Sequence, residues 1–305
     1  MTVLGPMPAE ALGVTSMHEH ILCDIYRAGG GIYNILDDEN MAIEELMHFK
    51  RAGGSAIVEV PTLDIGRNLE GLARVSSATG VHIIAGSGFY VDRSHPAIVS
   101  RLNSEKLAHY LVEDVNQGPP GPGIIGEIGS NKYGATPSEE RSLRAAARAA
   151  RRTGRCVSTH AALGDCGLEQ LAILLEEGLH PDQIIIGHVD SIWHLDIERD
   201  LRYCEAIIAQ GANVAFDTVG WDEFAPDERR VERLVALIER GHADKIVLGS
   251  DTCRRTHYHL LGGQGYDYLL TGFVPRLRAA GISQEVLDKL LIHNPRRLLT
   301  LKAPY

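Results

Sequence analysis

The stretch Gly13-Val14-Thr15-Ser16-Met17-His18-Glu19-His20 decides how the rest of the chain is read. The run up to Met17 is short, β-compatible and without helical periodicity. Along a strand, side chains alternate between faces, so His18 and His20 project together and Glu19 turns to the other side. A helical zinc-protease pattern needs its second histidine four residues after the first. Leu22 occupies that position, so the helical reading fails. A strand-borne pair of imidazoles remains, suited to gripping one metal ion.

Outward from this pair, short apolar runs alternate with helical stretches. Further strands are expected at 55–60, 81–86, 124–128, 155–160, 183–188, 212–217 and 245–251. Helices are expected at 41–52, 67–79, 104–116, 137–153, 168–177, 196–210 and 227–240, with two more near 268–280 and 284–292. Asn40 reads as the cap of the first helix, Gly53-Gly54 as its stop, and Pro137 as the first residue of another. Eight strands, most of them apolar and each followed by helical sequence, predict an α/β protein: a closed (β/α)8 TIM barrel, one domain over residues 1–305. The competing open, doubly wound sheet lacks support. No GxGxxG follows the first strand, and no GxxxxGK[ST] occurs.

Composition fits this picture. The chain has 305 residues, 44% hydrophobic and 23% charged. That is close to one barrel, typically about 250 residues. The net charge of −10 comes without a basic patch or tail, which argues against a nucleic-acid partner. Five cysteines, with no CxxC pair, make a disulfide framework unexpected and point to a reducing, cytoplasmic setting. Met1–Gly13 lacks a basic segment followed by an apolar run, so no signal peptide is expected. No apolar stretch approaches the roughly 20 residues that span a bilayer, so no membrane partner is expected.

In such barrels the chemistry sits at the C-terminal ends of the strands. Strand one ends in His18 and His20, strand four contains Glu127, strand five ends in His160, strand six in His188 and strand eight in Asp251. Any one of these has an ordinary explanation, a satisfied histidine or a helix cap. Five strand ends loading one rim is hard to attribute to chance. Imidazole and carboxylate donors suit zinc first, with manganese, cobalt or iron as alternatives. Six ligands exceed one tetrahedral zinc. They fit two divalent metal ions about 3.5–4 Å apart. A carboxylate can bridge two metals with both oxygens, which nominates Glu127.

At this point the pattern resembles the phosphotriesterase family of the amidohydrolase superfamily. The likeness rests on His18-Glu19-His20, Ser158-Thr159-His160, Ile186-Gly187-His188, Gly249-Ser250-Asp251 and the closing Asn294-Pro295-Arg296-Arg297-Leu298-Leu299. It runs through nearly the whole chain. The resemblance implies that His18, His20 and Asp251 hold one metal, that His160 and His188 hold the other, and that a hydroxide bridges them. It also implies a homodimer. The best-known members carry a carboxylated lysine at the end of strand four. Here that stretch is Gly123-Ile124-Ile125-Gly126-Glu127-Ile128-Gly129, without lysine. Glu127 takes over the bridge, as in the glutamate-bearing branch called phosphotriesterase homology proteins.

The expected activity is metal-dependent hydrolysis of a small-molecule lactone or other carboxylic ester. Asp251 is expected to shuttle the proton. Tyr90, after strand three, is expected to lean on the substrate oxygen or leaving group. Arg254 and Arg255, in the loop after strand eight, suggest an anionic group on the substrate, held by guanidinium. Trp193 and Trp221 read as pocket walls or as packing. Phosphoester, phosphotriester or amide cleavage at the same centre is the nearest alternative. A catalytically silent barrel acting as a binding protein is the alternative of another class.

Overall fold

The computed structural model describes residues 1–161 and 164–305. Eight parallel strands form the centre: β1 Thr15–Glu19, β2 Ala56–Glu59, β3 His82–Ala85, β4 Ile125–Gly129, β5 Val157–His160, β6 Ile184–Ile186, β7 Asn213–Phe216 and β8 Ile246–Leu248. Continuous ladders join β1-β2-β3 on one side and β4 through β8 on the other. A few backbone bonds stitch each of the two seams. Between β3 and β4, Gly123 N–H donates to Ala85 O at 2.9 Å and Gly126 N–H to Ser87 O at 2.7 Å. Between β8 and β1, Asp251 N–H donates to His18 O at 3.0 Å. The barrel therefore closes, as expected.

Glycine makes the seams possible. A Cβ on Gly249 would lie 2.9 Å from the His18 nitrogen, and one on Gly86 would run into the Gly126 carbonyl. Only a residue without a side chain lets the backbones approach this closely.

Inside the barrel, Met17, Val58, Ile84, Cys156, Ile185, Ala215 and Val247 fill the space below the rim. Each large one contributes about 1.5–3 kcal/mol by leaving water. The helices Glu39–Arg51, Leu69–Thr79, Ser104–Val115, Pro137–Thr153, Gly167–Glu176, Ile197–Ile208 and Asp227–Glu239 cover the outside. The expected positions hold to within a few residues. The first helix differs at its cap: Asp38, not Asn40, accepts the N–H groups of Asn40 and Met41. No helix among the described residues is long and apolar enough to cross a membrane.

Three features depart from the even alternation read in the sequence. A two-stranded antiparallel ribbon, Cys23–Asp24 with Ile35–Leu36, follows β1. The two C-terminal helices are interrupted by π-turns at Leu269–Phe273 and Lys289–His293. Pro275 and Pro295 stand two residues past the ends of these turns, where a ring without an N–H breaks the regular ladder. Most consequential, β1 and β4 are not regular strands. Three steps on β1, Ser16 to Glu19, oppose two on β2, Ile57 to Glu59. Three steps on β4, Ile125 to Ile128, oppose two on β5, Val157 to Thr159. Each is a one-residue bulge, which re-aims the side chains beside it.

Candidate metal centre

The two bulges lie where the rim residues arise. Met17 stays in the barrel interior while His18 and His20 reach the centre of the mouth. Glu19 turns away from the rings, as alternation suggested. It is fully buried and accepts the N–H groups of Ser250 at 3.0 Å and Thr252 at 2.9 Å. The residue after His18 thereby ties β1 to the loop that carries Asp251. Glu127 emerges from the β4 bulge, between Gly126 and the core residue Ile128.

Glu127 occupies the middle of the group. Its Oε1 lies 3.3 Å from His20 Nε2. Its Oε2 lies 3.5 Å from His18 Nε2, 3.0 Å from His160 Nδ1 and 3.4 Å from His188 Nε2. Asp251 Oδ1 stands 3.1 Å from His20 Nε2 and 3.8 Å from His18 Nε2. All six expected residues thus converge. Two triads, His18-His20-Glu127 and Glu127-His160-His188, each have donor atoms close enough to share one ion, and Glu127 belongs to both. His188 and Asp251 reach the mouth with φ of 55° and 48°, in the left-handed region that non-glycine residues rarely occupy. Such strain persists where surrounding structure holds it, typically at functional sites.

A residue overlooked in the sequence stands behind the rings. Asp217 follows β7 and is fully buried. Its Oδ1 lies 2.9 Å from His188 Nδ1, and its Oδ2 lies 3.0 Å from His18 Nδ1. With both Nδ1 atoms facing one carboxylate, the two Nε2 atoms are aimed at the centre. Strand order offered a signal, because Asp217 ends the seventh apolar run just as Asp251 ends the eighth.

The charge balance fits a cation. Glu127, Asp217 and Asp251 are buried together, and among the described residues no lysine or arginine pairs with them. Burial opposes their charge, yet the imidazoles around them outweigh it and hold all three below the ordinary carboxylate range. Among the described residues His18 Nε2 is buried with no hydrogen-bond partner, a costly state unless something binds it. Orphaned nitrogen and uncompensated carboxylates together suit divalent metal.

His160 is the open edge of the centre: its side chain is 19% exposed, against 1–2% for His18, His20, His188 and Glu127. The Tyr90 hydroxyl lies 3.2 Å from the His160 ring nitrogens. Burial, then the Glu127 charge, pushes the Tyr90 phenol well up, so it stays protonated.

The arginines after β8 are placed differently from the expectation. Arg255 does not face the rings. Its Nε donates to Ile35 O at 2.7 Å and its guanidinium pairs with Asp37, on the ribbon side. Arg254 pairs with Glu223 at 2.6 Å and lies over the Trp221 ring, 4.3 Å from its centroid. It lines a separate cavity of 350 Å³ between the loops after β7 and β8, together with Trp221 and His257. Trp221 is buried, its indole N–H donating to Ser250 O at 2.8 Å. Trp193 is 39% exposed and sits against Arg229.

Comparison with known proteins gives the family and the fold. The family model described as "Phosphotriesterase family" matches residues 1–299. A phosphotriesterase homology protein of Escherichia coli is 36% identical over 95% of this chain and 98% of its own. Its crystal structure, with phosphate in the active site, superposes with a TM-score of 0.89 at 35% identity, covering 95% of this chain and 99% of that one. The human N-acetyltaurine hydrolase is 32% identical over 99% of this chain and 97% of its own. A lactonase from Listeria monocytogenes superposes with a TM-score of 0.89 at 27% identity, over 99% of both chains. With the barrel, the rim and these relatives in agreement, the chain belongs to the phosphotriesterase family.

Proposed function

We propose that the protein hydrolyses a carboxylic acyl bond, a lactone or other ester, with two divalent metals held at the barrel mouth. The observation that carries this reading is Glu127, whose Oε1 lies beside His20 and whose Oε2 lies beside His18, His160 and His188, so that it belongs to both triads. His18, His20 and Asp251 would hold one ion and His160 and His188 the other, with Glu127 shared. Zinc is the first choice for this donor set, with manganese, cobalt or iron next. Bound metal would supply Lewis acidity and bring the pKa of water toward neutrality.

The chain's own residues do the rest. Asp217 fixes which nitrogen His18 and His188 present. Asp251 is the proton acceptor; its side chain is 13% exposed, within reach of water at the mouth. Tyr90 keeps its proton and donates a hydrogen bond to the acyl oxygen or the leaving group from beside His160. The lactonase neighbour supports the ester reading.

Amide cleavage is the second reading, favoured by the N-acetyltaurine hydrolases that align along the whole chain. A panel of lactones, carboxylic esters, N-acyl amides and neutral phosphotriesters, run on the metal-reconstituted protein, decides. Turnover of lactones or esters well above the others is expected. Turnover of phosphotriesters alone would overturn the acyl reading. Stoichiometric metal with no turnover at all would favour a binding protein.

A further inference from the structure

The mouth opens beside His160 into a cavity of 590 Å³ between the loops after β1, β3 and β4. Tyr90 and His160 form its inner end, and Arg93, Lys132 and Tyr133 line it further out. Its size is that of a small-molecule site. Two cations therefore share this cavity, and among the described residues neither Arg93 nor Lys132 forms an ion pair. Among the described residues, Lys132 Nζ is placed over the Tyr133 ring, 4.9 Å from its centroid. Arg254 and Arg255, by contrast, are already neutralised by Glu223 and Asp37.

One buried carboxylate sets both cations in place. Glu139 Oε1 accepts the N–H of Asp92 at 3.1 Å, and its Oε2 accepts the N–H groups of Asn131 at 3.0 Å and Thr136 at 2.9 Å. The residues following the two tethered loop positions are Arg93 and Lys132. Glu139 itself is 2% exposed and committed to these donors, so its charge is offset where it stands. Asp92, the other acid of the cavity, is exposed and lies 4.0 Å from His95. Across the cavity, Gly29 has φ of +90°, and a Cβ there would strike the Arg93 guanidinium. The glycine leaves room for that cation.

We propose that Arg93 and Lys132 form the subsite for an anionic group of the substrate, a carboxylate, sulfonate or phosphate monoester. The inference rests on the hydrolytic reading for where the scissile bond lies, beside Tyr90 and His160. It moves the anion from the β8 loop, where the sequence suggested it, to the β3 and β4 loops. Glu139 acts as the positioning residue that ties those loops together.

Ligand-observed NMR titration of the full, metal-reconstituted chain tests this with ethanesulfonate, a weak metal ligand, against neutral ethyl methyl sulfone. The sulfonate is expected to bind and the sulfone not. Arg93→Met and Lys132→Met should each weaken the sulfonate about tenfold, the size of one charge-assisted hydrogen bond. Glu139→Gln should weaken it as well, and Arg101→Met, on the exposed surface, should leave it unchanged. Unfolding temperatures of each variant separate loss of binding from loss of fold. Equal binding of sulfone and sulfonate would overturn the subsite. So would sulfonate binding that survives both loop variants and disappears in Arg254→Met. The predicted pattern in a chain that turns over no acyl substrate supports the subsite and overturns the hydrolytic reading alone.

Discussion

Asp217 grips His188 twice: its Oδ1 accepts the His188 backbone N–H at 2.8 Å and lies 2.9 Å from the ring Nδ1. The backbone at that point has the strained φ of 55°. One carboxylate thus fixes both the turn and the ring orientation. Asp217→Asn keeps the shape but removes the charge behind two rings. Metal affinity should fall about 10–100-fold, as for other residues that orient metal-binding histidines. Competition with a chelator measures it. Unchanged affinity would leave Asp217 a purely structural role.

Glu127→Gln removes the negative charge that faces both histidine pairs. Occupancy of both metal sites should drop, with most of the hydrolytic rate. A carboxylated lysine bridge would need bicarbonate, and a glutamate bridge needs none. Reconstitution should therefore proceed equally with and without added bicarbonate, followed by elemental analysis. Bicarbonate-dependent activity would defeat the glutamate bridge.

His18→Ala should strip metal and activity together, because His18 Nε2 belongs to the triad with His20 and Glu127. Asp251→Asn should lower kcat by about 10²–10⁴-fold, the usual contribution of a positioned acid–base group, with a smaller change in KM. Normal kcat in Asp251→Asn would remove Asp251 as the proton acceptor.

Glu139→Ala would leave three backbone N–H groups without their acceptor. A loss of about 3 kcal/mol in unfolding free energy is expected, read by urea denaturation. Thr136→Ala removes one side of the capping box at the same helix and should cost about 1 kcal/mol. Equal effects of the two would mean that Glu139 is only a helix cap.

His257 provides a pH signature. Burial, and secondarily Arg254, brings its pKa down to about 4, from the usual 6.5. Because the folded value is depressed, the unfolded chain binds the proton first as pH falls. Stability from this group is therefore present above pH 6.5 and is lost between there and about pH 4. The half-buried ring limits the loss to about 1–2 kcal/mol. His257→Phe, which keeps a ring against Trp221, should flatten that part of the stability–pH curve. An identical slope in the variant would assign the titration to another group.

Much of this protein was legible in its sequence. Periodicity is a local property, so short apolar runs, helical stretches and proline-led helix starts placed all eight strands near their true positions. The barrel rule then turned strand ends into a rim, and the six residues it named meet there. The bulges in β1 and β4 were not legible, because a bulge is defined by the register of the neighbouring strand. Asp217 ended a strand in plain view. Whether it faced the centre or stood behind the rings depended on the positions of His18 and His188.

Charge partners were decided by the tertiary structure alone. Arg254 and Arg255 looked free in sequence, but folding brings Glu223 and Asp37 to them, the latter from 218 residues away. Arg93 and Lys132 lie 39 positions apart in sequence, and Glu139 draws their loops to one cavity. Residue type and spacing determined the fold and the donors at its rim. Long-range contact determined which charges are spent on the protein itself and which remain for a ligand, because a salt bridge depends on distance in space and leaves no periodic trace along the chain.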